Sequence, residues 1–164
     1  VREVAVASKY EKATYAGLAR FINAVCSDDV EEYVRRLTAI VVMGNLDAHL
    51  KNWTVRYPDG ITARLSPAYD FVSVSAYDEF RTEELAFPVN GGRVARLITL
   101  DNFRHLARRA GLEPDHVTDV VVRTVEALLD AWPQVRAGSA TPAFVAAHID
   151  QRLKSLPLVV EARR

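Results

Sequence analysis

A single cysteine, Cys26, among 164 residues rules out an internal disulfide as a source of stability. Nothing else points to an oxidising compartment, so the expected location is the cytoplasm. Charge of one sign is missing too. Lysine plus arginine (21) equals aspartate plus glutamate (21), so no global field draws the chain to nucleic acid or membrane. Long hydrophobic runs are absent: the longest uncharged apolar stretch, LTAIVVMGNL at 37–46, falls well short of the roughly 20 residues that span a bilayer. The four histidines, His49, His105, His116 and His148, have no metal-ligand spacing with one another or with Cys26, which argues against zinc. No signal-peptide pattern, internal repeat or low-complexity segment is present.

What is there is ordinary globular composition, 49% apolar and 26% charged, in a chain long enough for one domain that buries about 70% of its unfolded surface. Helical periodicity dominates both ends. Tyr15, Leu18, Phe21, Ile22 and Val25 recur at three-four spacing and predict a helix near 11–26. Ser27, Asp28 and Asp29, with Glu31 or Glu32 three residues on, make a capping-box signal for a second helix at about 29–43 that buries Val30, Val34, Leu37, Ile40 and Val41. Beyond it, WTVRY at 53–57 and ITARL at 61–65 alternate like two short strands around the turn Pro58-Asp59-Gly60. Residues 72–98 are less regular, with a possible strand at 84–89 and a flexible Gly91-Gly92. Three more helices are expected at 101–110, 114–131 and 142–156, the last capped by Thr141 with Pro142 in its first turn. The fold class is therefore mostly α, with a small β-hairpin inserted beside residues 44–52.

Those residues and their continuation, GNLDAHLKNWTVRYPDGITARLSPAYDF, hold most of the functional information. Asn52 lies five residues after Asp47, and Asp70 follows the hairpin. Protein kinases use this order: a base Asp, then a metal-binding Asn, then a second metal-binding Asp. The chemistry explains the residue types. An acceptor hydroxyl needs a carboxylate to orient it and take its proton, magnesium needs hard oxygen ligands, and the transferring phosphoryl group needs a cation nearby. Asp47 suits the first task, Asn52 and Asp70 the second, Lys51 the third. An Asp-x4-Asn spacing alone is common in turns; the full string of Asp, His, Lys, Asn, hairpin and SPAYDF is far more restrictive.

That string resembles the C-terminal kinase domain of the HipA family, the serine/threonine kinase toxins of bacterial toxin–antitoxin pairs. GNLDAHLKNWTV and RLSPAYDFVS carry the likeness, and KYEKATY at 9–15 resembles a segment that precedes the catalytic loop in that family. The likeness is strong from about 9 to 75 and beyond that is mainly helical pattern. It implies a kinase C-lobe in which Asp47 is the catalytic base, Lys51 contacts the phosphoryl group, and Asn52 and Asp70 bind magnesium. His49 counts with them on the cofactor side, although a lone loop histidine is more often a hydrogen-bonding brace than a ligand or base. The implied cofactors are ATP and Mg2+. The implied partners are a small DNA-binding antitoxin of the HipB type and a protein substrate, notably a tRNA synthetase.

No glycine-rich phosphate loop and no strand with an ATP-contacting lysine stands ahead of Gly44. The expectation is thus one domain over 1–164, a C-lobe whose N-terminal nucleotide-binding lobe is absent and is supplied in cis or in trans, and which is inactive by itself. Two other readings stay open: a non-catalytic remnant that binds an antitoxin or other partner, and a lobe of a small-molecule kinase. Residues 103–122, FRHLARRAGLEPDHVTDVVV, have a helix-turn-helix outline. The would-be recognition helix opens on Glu113, Asp115 and Asp119, which phosphates would repel, so a helical hairpin without direct DNA binding is expected. Trp53 and Trp132 are read as packing residues, Trp53 with a possible place in the wall of the site.

Overall fold

A computed structural model of the chain describes residues 13–80, 82–138 and 140–164. Residues 9–12 of the KYEKATY segment lie outside them. The mostly helical expectation holds. Among the described residues there are six α-helices, α1 (Tyr15–Val25), α2 (Val30–Met43), α3 (Leu100–Ala110), α4 (Pro114–Gly138), α5 (Ala143–Ser155) and α6 (Pro157–Ala162), and two small antiparallel hairpins, β1 (Val55–Arg56) with β2 (Arg64–Leu65) and β3 (Glu84–Val89) with β4 (Gly92–Val94). Among the described residues no helix is long and apolar enough to cross a membrane.

Helix α2 is the axis of the domain. It packs on α4, which packs on α3, and α1 closes the layer against α3. Tyr33, Val34, Leu37, Ile40, Val41 and Val42 are all buried along α2, close to the expected face. Helix α1 differs from expectation: Thr14 caps it by accepting the Gly17 N–H at 2.9 Å, but Phe21 and Val25 are exposed and the buried stripe is Tyr15, Ala16, Ala19 and Ile22. The α3–α4 pair is a helical hairpin turned at Gly111, φ +74°, with Leu106, Val117, Val120 and Val121 buried as the packing reading requires.

Several boundaries moved for local reasons. Asp29 begins α2, but its side chain makes no cap bond; it reaches across to accept Arg64 Nε (2.9 Å), Arg64 Nη2 (2.6 Å) and the Leu65 N–H (2.7 Å). Glu31 and Glu32 likewise turn from capping to one-turn ion pairs with Arg35 and Arg36. Strands 53–57 and 61–65 shorten to two residues each because Asp59 draws the Ile61 and Thr62 N–H groups (2.9 and 2.6 Å) into a side-chain turn. Pro142 is the N-cap of α5 rather than its first-turn residue. Helix α4 runs through Pro133 to Gly138, its far end tied down by Trp132 Nε1–Asp150 Oδ1 (2.7 Å) and Arg136–Asp150 (3.1 Å). The extended Leu156 before Pro157 ends α5 and lets α6 start with proline in its first turn.

The Asp29–Arg64 link fastens the β1–β2 hairpin to the start of α2. Bonding to the Arg64 guanidinium, helped by the Leu65 N–H and opposed by burial, holds the Asp29 carboxyl below its ordinary range. A group depressed in the folded state stabilises above its unfolded pKa of roughly 3.9 and stops doing so as pH falls through the folded value. Asp29→Ala is therefore expected to cost about 1.5–3 kcal/mol at neutral pH. Urea melts at successive pH values should show that gap closing in acid. A gap that persists unchanged to the lowest pH would mean the loss is packing rather than the ionised pair.

Candidate active site

Four backbone carbonyls at the end of a helix lack intrahelical partners, and α2 finds one for each of its own. Ile40 O accepts the N–H groups of Gly44 and, at 3.0 Å, Asn45. Arg152, reaching in from α5 and only 4% exposed, bonds Val41 O through Nη2 (2.7 Å) and Val42 O through Nε (3.0 Å). Ser73 Oγ donates to Met43 O at 2.6 Å. Gly44 then turns the chain at φ +74°, and its own carbonyl accepts Ser75 N–H at 3.0 Å. A Cβ on Gly44 would collide with the Ser75 side chain, so both conformation and space demand glycine here. The third nitrogen of Arg152 pairs with Glu83 Oε2 at 2.7 Å. Ser75 also meets His148 Nε2 at 2.8 Å, and burial with the nearby Arg152 charge pushes that imidazole below its usual pKa.

The loop released from this anchor buries Asn45, Leu46, Ala48 and His49 and turns one side chain outward, that of Asp47, which is 54% exposed. From behind, Ala48 O accepts Trp53 Nε1 (3.3 Å) and the Tyr15 hydroxyl (3.4 Å), and Trp53 packs on Tyr33 at a 45° tilt with ring centroids 4.9 Å apart. Trp53 thus braces the loop and is not among the residues lining the cleft described below. His49 sits buried beneath Asp47, its Nε2 3.9 Å from Asp47 Oδ2.

Asp70 comes back to this loop by way of Tyr69, whose hydroxyl donates to Lys51 O and meets Thr54 Oγ1 at 2.5 Å. Asp70 itself adopts φ +55°, a left-handed conformation uncommon outside glycine but tolerated by Asp. Asn52 Nδ2 then donates to Asp70 Oδ2 at 3.0 Å and to Asp47 O at 3.3 Å, while Asn45 Nδ2 reaches Asp70 O at 3.4 Å and Asn45 Oδ1 accepts the Asp47 N–H at 3.2 Å. The Asn52 amide therefore links the Asp70 carboxylate to the main chain of Asp47. Lys51 is exposed on the short turn Leu50–Asn52 and does not line the cleft.

That cleft, about 630 Å³, opens from Asp47 and Asp70 between Val72, Val74, Tyr77 and Phe80 on one side and Glu84, Ala86 and Arg93 of the β3–β4 hairpin on the other. Sequence reading missed Asn45, Glu84 and Arg93. Asn45 had a signal, a polar residue directly after a helix-ending glycine in an apolar run. Arg93 had one too: Gly91-Gly92, expected to be flexible, belongs to a tight hairpin turn in which Asn90 and Gly91 take φ +47° and +80° and Val89 pairs with Gly92.

The hard-oxygen donors suit magnesium. With Asn52 Nδ2 committed, Asn52 Oδ1 and the second Asp70 oxygen remain as ligand atoms. Among the described residues no three His, Cys, Asp or Glu side chains gather as a metal cage. Magnesium bound by one carboxylate, one amide oxygen and substrate phosphates needs none.

The family model described as the HipA-like C-terminal domain matches residues 1–132. The chain belongs to that family. A Sinorhizobium fredii protein named "Putative kinase Y4dM" is 36% identical to this HipA-like domain over 156 residues, 93% of this chain and 37% of that protein. A Haemophilus influenzae protein whose name also says kinase is 36% identical over 87 residues, 51% of this chain and 25% of its own length. Among solved structures, a chain of the Shewanella oneidensis complex of HipA, HipB and operator DNA superposes with a TM-score of 0.76 at 20% identity, covering 98% of this chain and 40% of that one. At that identity the likeness establishes the shared fold. The HipA-like domain described here spans well under half the length of each of these relatives.

Proposed function

We propose that this HipA-like domain is the catalytic-loop and metal-holding lobe of an ATP-dependent serine/threonine kinase, the toxin of a toxin–antitoxin pair. The observation that carries the reading is the meeting of Asp47 and Asp70 at one cleft, with the Asn52 amide behind them joining the Asp70 carboxylate (3.0 Å) to the Asp47 main-chain carbonyl (3.3 Å). The left-handed Asp70 adds weight, since backbone strain held in place by several bonds is commonly kept where it serves a site.

In this reading the acceptor hydroxyl enters from the cleft and hydrogen-bonds the outward-facing Asp47 carboxylate. Asp47 takes its proton as the acceptor oxygen bonds to the γ-phosphorus and the bond from that phosphorus to the ADP oxygen breaks. His49, buried below, steadies the Asp47 carboxylate and keeps it turned to the acceptor. Asn52 Oδ1 and the Asp70 carboxylate would hold magnesium, which when bound would neutralise charge on the phosphate oxygens. Lys51, on the exposed turn, serves the phosphate side from outside the cleft. The backbone cradle and lysine that fix the nucleotide come from an N-terminal lobe, in cis or in trans, and residues 1–164 alone bind MgATP weakly. The acceptor is a protein hydroxyl, a tRNA synthetase being one candidate, the partner is an antitoxin of the HipB type, and the setting is the cytoplasm.

Asp70→Asn tests the metal assignment in the protein as its gene encodes it. Calorimetry should show magnesium no longer strengthening ATP binding, and radiolabel transfer from ATP should fall with it. Unchanged magnesium dependence would remove Asp70 from the site.

A further inference from the structure

The cleft beside Asp47 carries three acidic side chains, Asp47, Asp70 and Glu84, and Lys51 does not line it. Among the described lining residues the cation is Arg93. Its guanidinium is fixed rather than free: Nε donates to Leu85 O at 3.0 Å and Nη2 to Ala86 O at 3.2 Å. Those carbonyls are available because the β3–β4 ladder slips. The five residue steps from Glu84 to Val89 face only the two from Val94 to Gly92, so the middle of β3 bulges away from its partner. Arg93, brought back by the Asn90-Gly91 turn, occupies the gap. Nη1 makes no hydrogen bond to the described residues. A planar fork anchored on one edge presents its other edge in a set direction.

The buried Tyr15 phenol lies within electrostatic reach of both Arg93 and Asp47. Burial raises its pKa, with Arg93 opposing and Asp47 adding to the effect.

We infer that Arg93 is a catalytic cation on the acceptor side of the cleft, donating to an oxygen of the phosphoryl group while that group passes between nucleotide and acceptor. The inference rests on the kinase reading above. In the step, the acceptor oxygen–phosphorus bond forms, the phosphorus–ADP oxygen bond breaks and the hydroxyl proton goes to Asp47. Arg93 exchanges no proton. It supplies positive charge and a preset donor where the Asp47 and Glu84 carboxylates would otherwise repel the incoming phosphate. The rival role is a clamp on the bulge, which would matter for stability alone.

The test uses the protein as its gene encodes it, with Arg93→Gln and Arg93→Lys. Calorimetry measures affinity first for ADP with magnesium, then for ADP with magnesium and aluminium fluoride, a mimic of the phosphoryl group in flight. For Arg93→Gln the ADP affinity should stay within about twofold. The fluoride complex should weaken about 10²- to 10³-fold, the usual loss for one oxyanion donor, and ATP turnover should fall in step. Arg93→Lys should recover part of both, since it keeps the charge but not the fork. Equal weakening of ADP and the fluoride complex, or a lowered unfolding midpoint with both affinities intact, makes Arg93 a bulge clamp and overturns the inference. A wild-type protein that binds no nucleotide and turns over no ATP sinks the kinase reading itself, so the two failures are told apart.

Discussion

Asp47→Ala is expected to lower phosphoryl transfer by about 10²- to 10⁴-fold, the range for loss of a positioned general base. It is expected to leave the thermal unfolding midpoint almost unchanged. The two halves of the prediction come from different atoms of the same residue. The backbone of Asp47 is structural: its N–H bonds Asn45 Oδ1 at 3.2 Å, and its carbonyl accepts the His49 N–H at 2.8 Å and Asn52 Nδ2 at 3.3 Å. Alanine keeps all of these. The carboxylate is 54% exposed, and charge pairs made by an exposed carboxylate contribute little to folding. Surface changes of this kind usually stay within about 0.5 kcal/mol. Radiolabel transfer and calorimetric melting of the same preparation read both halves. Retained activity with a large drop in midpoint would make Asp47 a structural residue and remove the base from the proposed mechanism.

Arg152→Ala should do the reverse and act first on stability, by about 3–5 kcal/mol, the usual loss when one partner of a buried charge pair is removed. For a domain of this size that is a fall of on the order of 10 °C in the midpoint. The guanidinium is 4% exposed and spends its bonds on Val41 O, Val42 O and the Glu83 carboxylate. Deleting it strands two helix-end carbonyls and a half-buried carboxylate, all directly behind the loop that carries Asp47. Methionine would fill the volume without serving those acceptors, so Arg152→Met should be little better. Thermal melts of both variants measure this; a loss below about 1 kcal/mol would mean water replaces Arg152 at the end of α2 without penalty. Fraying there would loosen Gly44 and Asn45, so activity should decline as well.

Much of the domain could be read along the chain, and the reasons are local. Helix α2 announces itself because its apolar residues recur with the helical period, and the α3–α4 hairpin because Gly111 stops one amphipathic run and Pro114 opens another. Asp47, Asn52 and Asp70 stood out because the order Asp, Asn, hairpin, Asp is the one protein kinases use and is seldom met by accident. Errors came where a side chain had two possible uses. Asp29 and Glu31 have the pattern of a capping box, yet Arg64 and Arg35 outbid the backbone N–H groups for their carboxylates. Asp59 converts most of an alternating strand pattern into a turn, because its carboxylate is nearer to the Ile61 and Thr62 amides than the facing strand is.

The sequence by itself determined the helical class, the family resemblance and the grouping of Asp47, Asn52 and Asp70 within one stretch, since each of these rests on periodicity or on spacing along the chain. Tertiary structure alone decided what holds them. Arg152 lies 110 residues beyond Val42, Arg64 lies 35 beyond Asp29, and Arg93 reaches the cleft only through a bulge in its own hairpin. Such partners are chosen by which buried carbonyl or carboxylate needs a donor once the helices are packed. That need arises only in three dimensions, when water has been excluded and an unpaired polar group becomes costly.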